Sequence, residues 1–200
     1  MVKVKFCGLN RPCDIAWANE LRPDYAGFVF AGKKRRVSDD QAAALRKALD
    51  PSIPAVGVFV DDSLEHIGQL VTAGTIQIVQ LHGCEDDAMI KAVQQTLKVR
   101  VIKAFSIASE ADVRQARCSR ADYILLDHGA GGTGDCFDWA LLAHIDRPYF
   151  LAGGLNPDNA AQAAALQPFA LDVSSGIETD GVKDKEKMKR FMAQVRAYRR

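Results

Sequence analysis

No run of apolar residues in this chain approaches the eighteen or so that a membrane-spanning helix needs. The N-terminus, Met1-Val2-Lys3-Val4-Lys5-Phe6, alternates like a first strand and lacks the apolar core of a secretory signal. Excess charge of one sign is missing too. With 26 Lys and Arg against 25 Asp and Glu, the net charge of +1 gives no basic surplus for coating nucleic acid or an anionic membrane. The cysteines, Cys7, Cys13, Cys84, Cys118 and Cys136, are odd in number and form no Cys-x-x-Cys pair. Free thiols in a reducing compartment fit this better than a disulfide framework. The histidines, His66, His82, His128 and His144, show neither His-Glu-x-x-His nor Cys/His zinc spacing, so no metal site is expected. No linker, low-complexity tract or charge shift marks a second domain. The expectation is a cytoplasmic enzyme with one domain over residues 1–200, partnered by neither nucleic acid nor membrane and needing no obligate protein partner.

What is present is an alternation of short β-branched runs with longer Ala- and Leu-rich stretches. Strands are expected at 2–6, 25–30, 54–60, 76–81, 100–105, 122–126, 149–152 and 169–173. Several are nearly continuous apolar runs, such as Tyr123-Ile124-Leu125-Leu126, as a strand covered on both faces requires. Helices are expected after Asp14, after the Ser38 cap, after Asp62 or Ser63, from Ser109, from Asp138, with Pro157 in a first turn, and over 183–198. Eight strand–helix units of this kind predict an α/β fold, a (β/α)8 TIM barrel. An open, doubly wound sheet is the rival until the first and last strands are seen to pair.

In such a barrel, polar residues just past the C-terminal ends of different strands converge on one mouth. Here those ends read Lys5-Phe6-Cys7-Gly8, Gln80-Leu81-His82-Gly83, Leu126-Asp127, Ala152-Gly153-Gly154 and Asp172-Val173-Ser174-Ser175-Gly176. Gly153 and Gly154 would let backbone N–H groups approach an anion, with Ser174, Ser175 and Gly176 supplying hydroxyls and a second tight turn. Loops after strands seven and eight are an established phosphate cradle of this fold. Asp127 directly follows an apolar run and has no packing reason to be there, so it is a candidate acid. A lone strand-end thiol such as Cys7 is more often a small buried hydrophobe. As a thiolate it could instead take a carbon-bound proton, with Lys5 or Lys103 lowering its pKa. No nucleophile–base–orienter triad can be assembled, which favours an isomerase over a hydrolase. The segment Gly129–Gly134 fits neither nucleotide motif and reads as a lid or as a plain flexible loop. The basic run Lys33–Arg36 reads first as a solvated loop.

These pieces, in order and from residue 3 to about 191, resemble the phosphoribosylanthranilate isomerase family of tryptophan biosynthesis. The resemblance is carried by Lys5-Phe6-Cys7-Gly8-Leu9-Asn10, Gly27-Phe28-Val29-Phe30, Val56-Gly57-Val58-Phe59-Val60, Gln80-Leu81-His82-Gly83 and Leu125-Leu126-Asp127. It continues with Gly131-Gly132-Thr133-Gly134, Gly153-Gly154-Leu155-Asn156-Pro157 and the stretch Asp172–Glu178 with Gly181-Val182-Lys183-Asp184. It implies an Amadori rearrangement of N-(5-phosphoribosyl)anthranilate without metal or organic cofactor. Asp127 would be the general acid and Cys7 the general base. Arg35, Gln80, His82, Gly132 and Asp172 would hold the substrate, and Gly153, Gly154, Ser174, Ser175 and Gly176 its phosphate.

The chain departs from the family pattern at Gly32-Lys33-Lys34-Arg35-Arg36-Val37, one residue short and without the family's serine. Arg35 aligns as the carboxylate ligand by its distance to Val37, with Arg36 the alternative. A sugar-phosphate epimerase would need several metal-ligand strand ends, where only His82 qualifies. The next enzyme of the pathway would bring an extra segment ahead of strand one. A non-catalytic phospho-ligand barrel would not need both Cys7 and Asp127.

Overall fold

The computed structural model describes residues 1–127 and 139–198. The Gly129–Gly134 loop with Gly132, the Asp138 cap, His128 and Cys136 lie outside them. The chain runs β1 (Lys3–Cys7), α1 (Pro12–Leu21), β2 (Tyr25–Val29), α2 (Asp39–Ala48), β3 (Ala55–Phe59), α3 (Leu64–Thr72), β4 (Ile78–Leu81) and α4 (Asp87–Ala92). It continues β5 (Arg100–Ser106), α5 (Glu110–Cys118), β6 (Tyr123–Asp127), β7 (Tyr149–Leu151), α6 (Ala160–Ala165), β8 (Ala170–Val173) and α7 (Lys185–Ala197), with a small hairpin of β9 (Glu178–Thr179) and β10 (Val182–Lys183) before the last helix. All eight long strands are parallel, and β1 pairs with β8 to close a barrel, which rules out the open sheet.

The caps follow the sequence signals. Ser38, Ser63 and Ser109 each accept a backbone N–H in the first turn of α2, α3 and α5. Two expectations need correction. Pro157 stands in a turn ahead of α6, which starts at Ala160, with the turn held by Asn156 and Asn159 side chains. The connection before β7 is a 3-10 helix over Trp139–His144 rather than an α-helix opened at Asp138. The structure also supplies α4, which continues as one π-helical stretch, Val93–Leu97.

Strand periodicity decides which residues reach the centre. Side chains alternate in and out, so Val4, Phe6, Phe28, Phe59, Val79 and Leu171 pack outward under the helices in the larger apolar core. Tyr25, Val56, Ile78, Ile102, Leu125, Phe150 and Ala170 fill the barrel interior as a second cluster. Continuing the inward register toward the C-terminal ends brings up Lys5, Cys7, Gln80, His82, Asp127, Asp172 and Ser174. The interior therefore changes from apolar to ionisable within about two layers of side chains.

Candidate active site

The C-terminal mouth holds a cavity of about 260 Å³ lined by Cys7, Arg35, Gln80, His82, Asp127, Gly153, Gly154, Asp172, Ser174 and Ser175, with Val58, Val60 and Leu155 as apolar walls. Eleven site residues expected from the sequence lie in the described part, and ten of them line this one cavity. Gly176 sits just behind it. A Cβ there would lie 1.9 Å from the Leu155 carbonyl oxygen, so only glycine lets the β8 loop pack against the β7 loop. Gly153 and Gly154 both adopt positive φ, 83° and 63°, which folds their backbone back toward the mouth.

Pairing of β1 with β8 sets Lys5 beside Asp172, and their side chains form an ion pair of 2.7 Å with Lys5 fully buried. Burial opposes the charge on Lys5, but Asp172 and the Cys7 thiol outweigh it and hold its pKa above the ordinary lysine value. The second oxygen of Asp172, Oδ1, is buried without a hydrogen-bond partner, and so is Gln80 Oε1. Buried acceptors left open are costly. Both belong to residues lining the cavity, where a ligand's N–H or O–H groups can satisfy them.

Cys7 departs from expectation. Burial dominates, and Asp172 adds to it, so the thiol is pushed above its ordinary value even though Lys5 and Lys183 pull it down. Lys103 is not its activator. Its ammonium bonds the Gly83 carbonyl oxygen (2.7 Å) and Glu85 (3.1 Å), fixing the β4 loop behind His82. Burial, helped by Lys5 and Lys103, pushes the His82 imidazole below the ordinary histidine value. Its Nδ1 lies 2.9 Å from Gln80 Nε2, and its Nε2 lies 3.9 Å from Asp127 Oδ2.

The two arginines of the basic loop face different cavities, and Arg35 is the one at the barrel mouth. It lines the cavity at φ 63°, while Arg36 is exposed and lines a separate groove beside His66. Two residues behind the lining, Glu178 and Lys183, support it, and the sequence shows them only as pieces of a motif. Glu178 binds Arg35 through both carboxylate oxygens (2.6 and 2.7 Å) and Lys183 at 2.5 Å. Burial opposes the charge on Glu178, yet Arg35 and Lys183 hold its carboxyl below the usual range. Burial lowers Lys183, against the pull of Glu178. The sequence carries a signal for this pair, since Thr179-Asp180-Gly181-Val182 is a two-residue hairpin turn that sets Glu178 opposite Lys183.

The model of the PRAI family, N-(5'-phosphoribosyl)anthranilate isomerase, matches residues 4–194 of this chain. The chain belongs to this family. It is 45% identical to the N-(5'-phosphoribosyl)anthranilate isomerase of Endomicrobium trichonymphae over 94% of this chain and 95% of that one. Its identity to the Clostridium acetobutylicum enzyme is 42% over the whole of both chains. Among solved structures, the phosphoribosyl anthranilate isomerase of Thermotoga maritima superposes with a TM-score of 0.91 at 36% identity, covering 99% of this chain and 100% of that one. A phosphoribosyl anthranilate isomerase in complex with reduced 1-(o-carboxyphenylamino)-1-deoxyribulose 5-phosphate superposes at 0.89 with 35% identity and the same coverage. The PRAI match thus spans every strand of the barrel and every lining residue named above. Among the described residues no helix is long and apolar enough to cross a membrane, and no three His, Cys, Asp or Glu cluster as metal ligands.

Proposed function

We infer that this chain catalyses the reaction of its family, the Amadori rearrangement of N-(5-phosphoribosyl)anthranilate to 1-(2-carboxyphenylamino)-1-deoxyribulose 5-phosphate, with Asp127 as acid and Cys7 as base. The observation that carries the reading is the placement of Cys7 and Asp127, from strands three steps apart around the ring, on one cavity that also holds both small-residue loops.

The sequence of events follows from those positions. Asp127, protonated, gives its proton to the furanose ring oxygen as the bond from that oxygen to C1' breaks, leaving a protonated Schiff base between C1' and the anthranilate nitrogen. Cys7 as thiolate takes the proton from C2', and the electron pair of that C–H bond neutralises the iminium to give an enolamine. Tautomerisation then yields the 2'-ketone. The thiol must ionise first, and it is Lys5 and Lys183 that favour the anion against burial. Asp172 Oδ1 is the acceptor for the anthranilate N–H, and Gln80 and His82 border the sugar. Gly153, Gly154, Ser174, Ser175 and Gly176 cradle the phosphate, and Arg35 takes the aryl carboxylate. The reading includes a cytosolic setting, a small phosphorylated substrate and no requirement for metal or organic cofactor.

The test is the decay of anthranilate-type fluorescence when purified protein meets freshly made N-(5-phosphoribosyl)anthranilate, with and without EDTA. Rapid conversion unaffected by EDTA is expected. A well-folded protein that leaves the substrate untouched would overturn the reading.

A further inference from the structure

The hairpin after β8 is built around one buried carboxylate. Asp180 and Gly181 both have positive φ, 52° and 79°, the geometry of a two-residue primed turn. That turn pairs Lys183 with Glu178 across the ladder and puts their side chains on one face, where they are 1% and 6% exposed. The backbone is fixed from outside, since Arg11 donates to the Lys183 carbonyl oxygen at 2.7 Å and Lys187 to that of Glu178 at 2.6 Å. So rigid a mounting for a buried charge in a surface hairpin calls for an explanation.

Glu178 grips Arg35 side-on, through Nε and Nη2. A guanidinium has five N–H donors in a planar fork, so this grip leaves the end-on edge, Nη1 with the outer hydrogen of Nη2, for a second acceptor. Lys183 reaches from Glu178 to the Ser174 carbonyl oxygen (3.0 Å) and hydroxyl (3.4 Å), and Ser174 Oγ donates to the Cys7 carbonyl oxygen at 3.1 Å. One chain of contacts thus joins the β2 loop, the β8 loop and the backbone of Cys7. Arg35 and Lys183 surround a single carboxylate with two cations, a count that a second carboxylate would balance.

We propose that Glu178 is a positioning residue for recognition of the substrate's aryl carboxylate: it sets the free edge of Arg35 toward the cavity and, through Lys183 and Ser174, fixes that edge relative to the phosphate loop. This rests on the family reaction argued above and adds to it a ruler between the two anionic ends of the substrate. Asp172, by contrast, is committed to Lys5.

The probes are the reduced product analogue, reduced 1-(2-carboxyphenylamino)-1-deoxyribulose 5-phosphate, and its phenylamino counterpart without the carboxylate. Binding of both is measured on the full chain, wild type and Glu178→Gln, with melting temperature as the folding control. Glu178→Gln is expected to weaken the carboxylate probe about tenfold or more and to change the other by about twofold or less. KM for the substrate should rise more than kcat falls. In the Arg35→Ala background, Glu178→Gln should add about twofold or less to the loss, because the two act as one unit. That second arm also guards against a general loosening of the fold, which would add to the Arg35→Ala loss. Equal weakening of both probes, or full additivity with Arg35→Ala, overturns the positioning role and leaves the family reaction standing. A wild-type protein that binds neither probe and converts no substrate overturns the family reaction, and this role with it.

Discussion

The two ends of the barrel are built from the same strands and solve opposite problems. At the N-terminal floor, Tyr25, Tyr123, Phe150 and Phe169 form a closed aromatic group, with centroid separations from 4.6 Å (Tyr123–Phe169) to 5.7 Å (Tyr25–Phe150). Even its polar atoms are occupied. Lys3 lies 4.5 Å over the Phe169 ring and also meets the Tyr25 hydroxyl, and Arg100 donates to the Tyr123 hydroxyl at 2.9 Å. At the mouth, Lys5, Gln80, Asp172 and Lys183 are buried, and two of their neighbourhood's acceptors, Gln80 Oε1 and Asp172 Oδ1, go without a partner. A buried ion pair such as Lys5–Asp172 roughly breaks even against apolar packing of the same volume. The floor therefore supplies stability that the mouth gives up in order to bind and react.

The largest expected effects separate the two ends. Asp127→Asn keeps the side chain's shape and removes its acid, so turnover should fall by about two to four orders of magnitude. Its melting temperature should stay within about 3 °C of wild type, as expected for a change away from the packed core. Phe150→Ala at the floor should do the reverse, costing about 3–5 kcal/mol of stability. Per folded molecule, its kcat should be nearly wild type when assayed well below the melting point. Steady-state kinetics alongside thermal melts decide the matter. A stable, fully active Asp127→Asn protein, or a stable Phe150→Ala protein with lost turnover, would break the division of labour.

A smaller effect tests how the mouth holds its base. Burial pushes the Cys7 thiol up, so the rate at which Cys7 is alkylated, which follows its thiolate fraction and is mapped by mass spectrometry, should rise with pH. The rise should continue past about 8.5, where an ordinary thiol is half ionised. Cys7→Ser should lose most of kcat, because a hydroxyl is a far poorer base. An alkylation profile that levels off near neutrality would show that the site favours the thiolate more than its burial allows. An unchanged kcat in Cys7→Ser would return the cysteine to a packing role.

The difference between the ends also explains what could be read from the sequence. Strands were legible because burial on both faces leaves near-continuous apolar runs, and the serine caps because their local hydrogen bonds belong to the helix itself. The site was legible wherever a polar residue interrupts the inward register, as Asp127 does after Tyr123–Leu126, or where glycines follow a strand, as at Gly153-Gly154. Pairings between distant segments were not. Nothing near Lys5 in the chain announces Asp172, because the closing register of β1 on β8 makes them neighbours. The loop around Arg35 was ambiguous for the same reason, since its register is fixed by Glu178, 143 positions away. The sign of the Cys7 shift was missed because the adjacent lysine is visible in the sequence and the depth of burial is not.

The smallest effect concerns a group that belongs to neither end. His66, in the first turn of α3, has Nδ1 at 2.8 Å from Asp62 and Nε2 at 3.1 Å from Asp39 at the start of α2. Its ring stands edge-on to Phe30 and Phe59, with centroids 6.1 Å away in each case. Burial works against the imidazolium, but the two carboxylates outweigh it and raise its pKa above the ordinary histidine value. A raised folded-state pKa means that folding favours the protonated ring. The contribution is complete below the unfolded value of about 6.5 and disappears as pH rises through the folded one. Asp39 is 55% exposed, so screening limits the pairs to about 1 kcal/mol together. The gap in melting temperature between wild type and His66→Gln should therefore be a few degrees at about pH 5.5 and should close by about pH 9. Turnover per folded molecule should be the same in both proteins, because this groove shares no lining residue with the cavity that holds Cys7. A gap that instead widens with pH would mean that the neutral ring, packed on the two phenylalanines, is the form the fold selects.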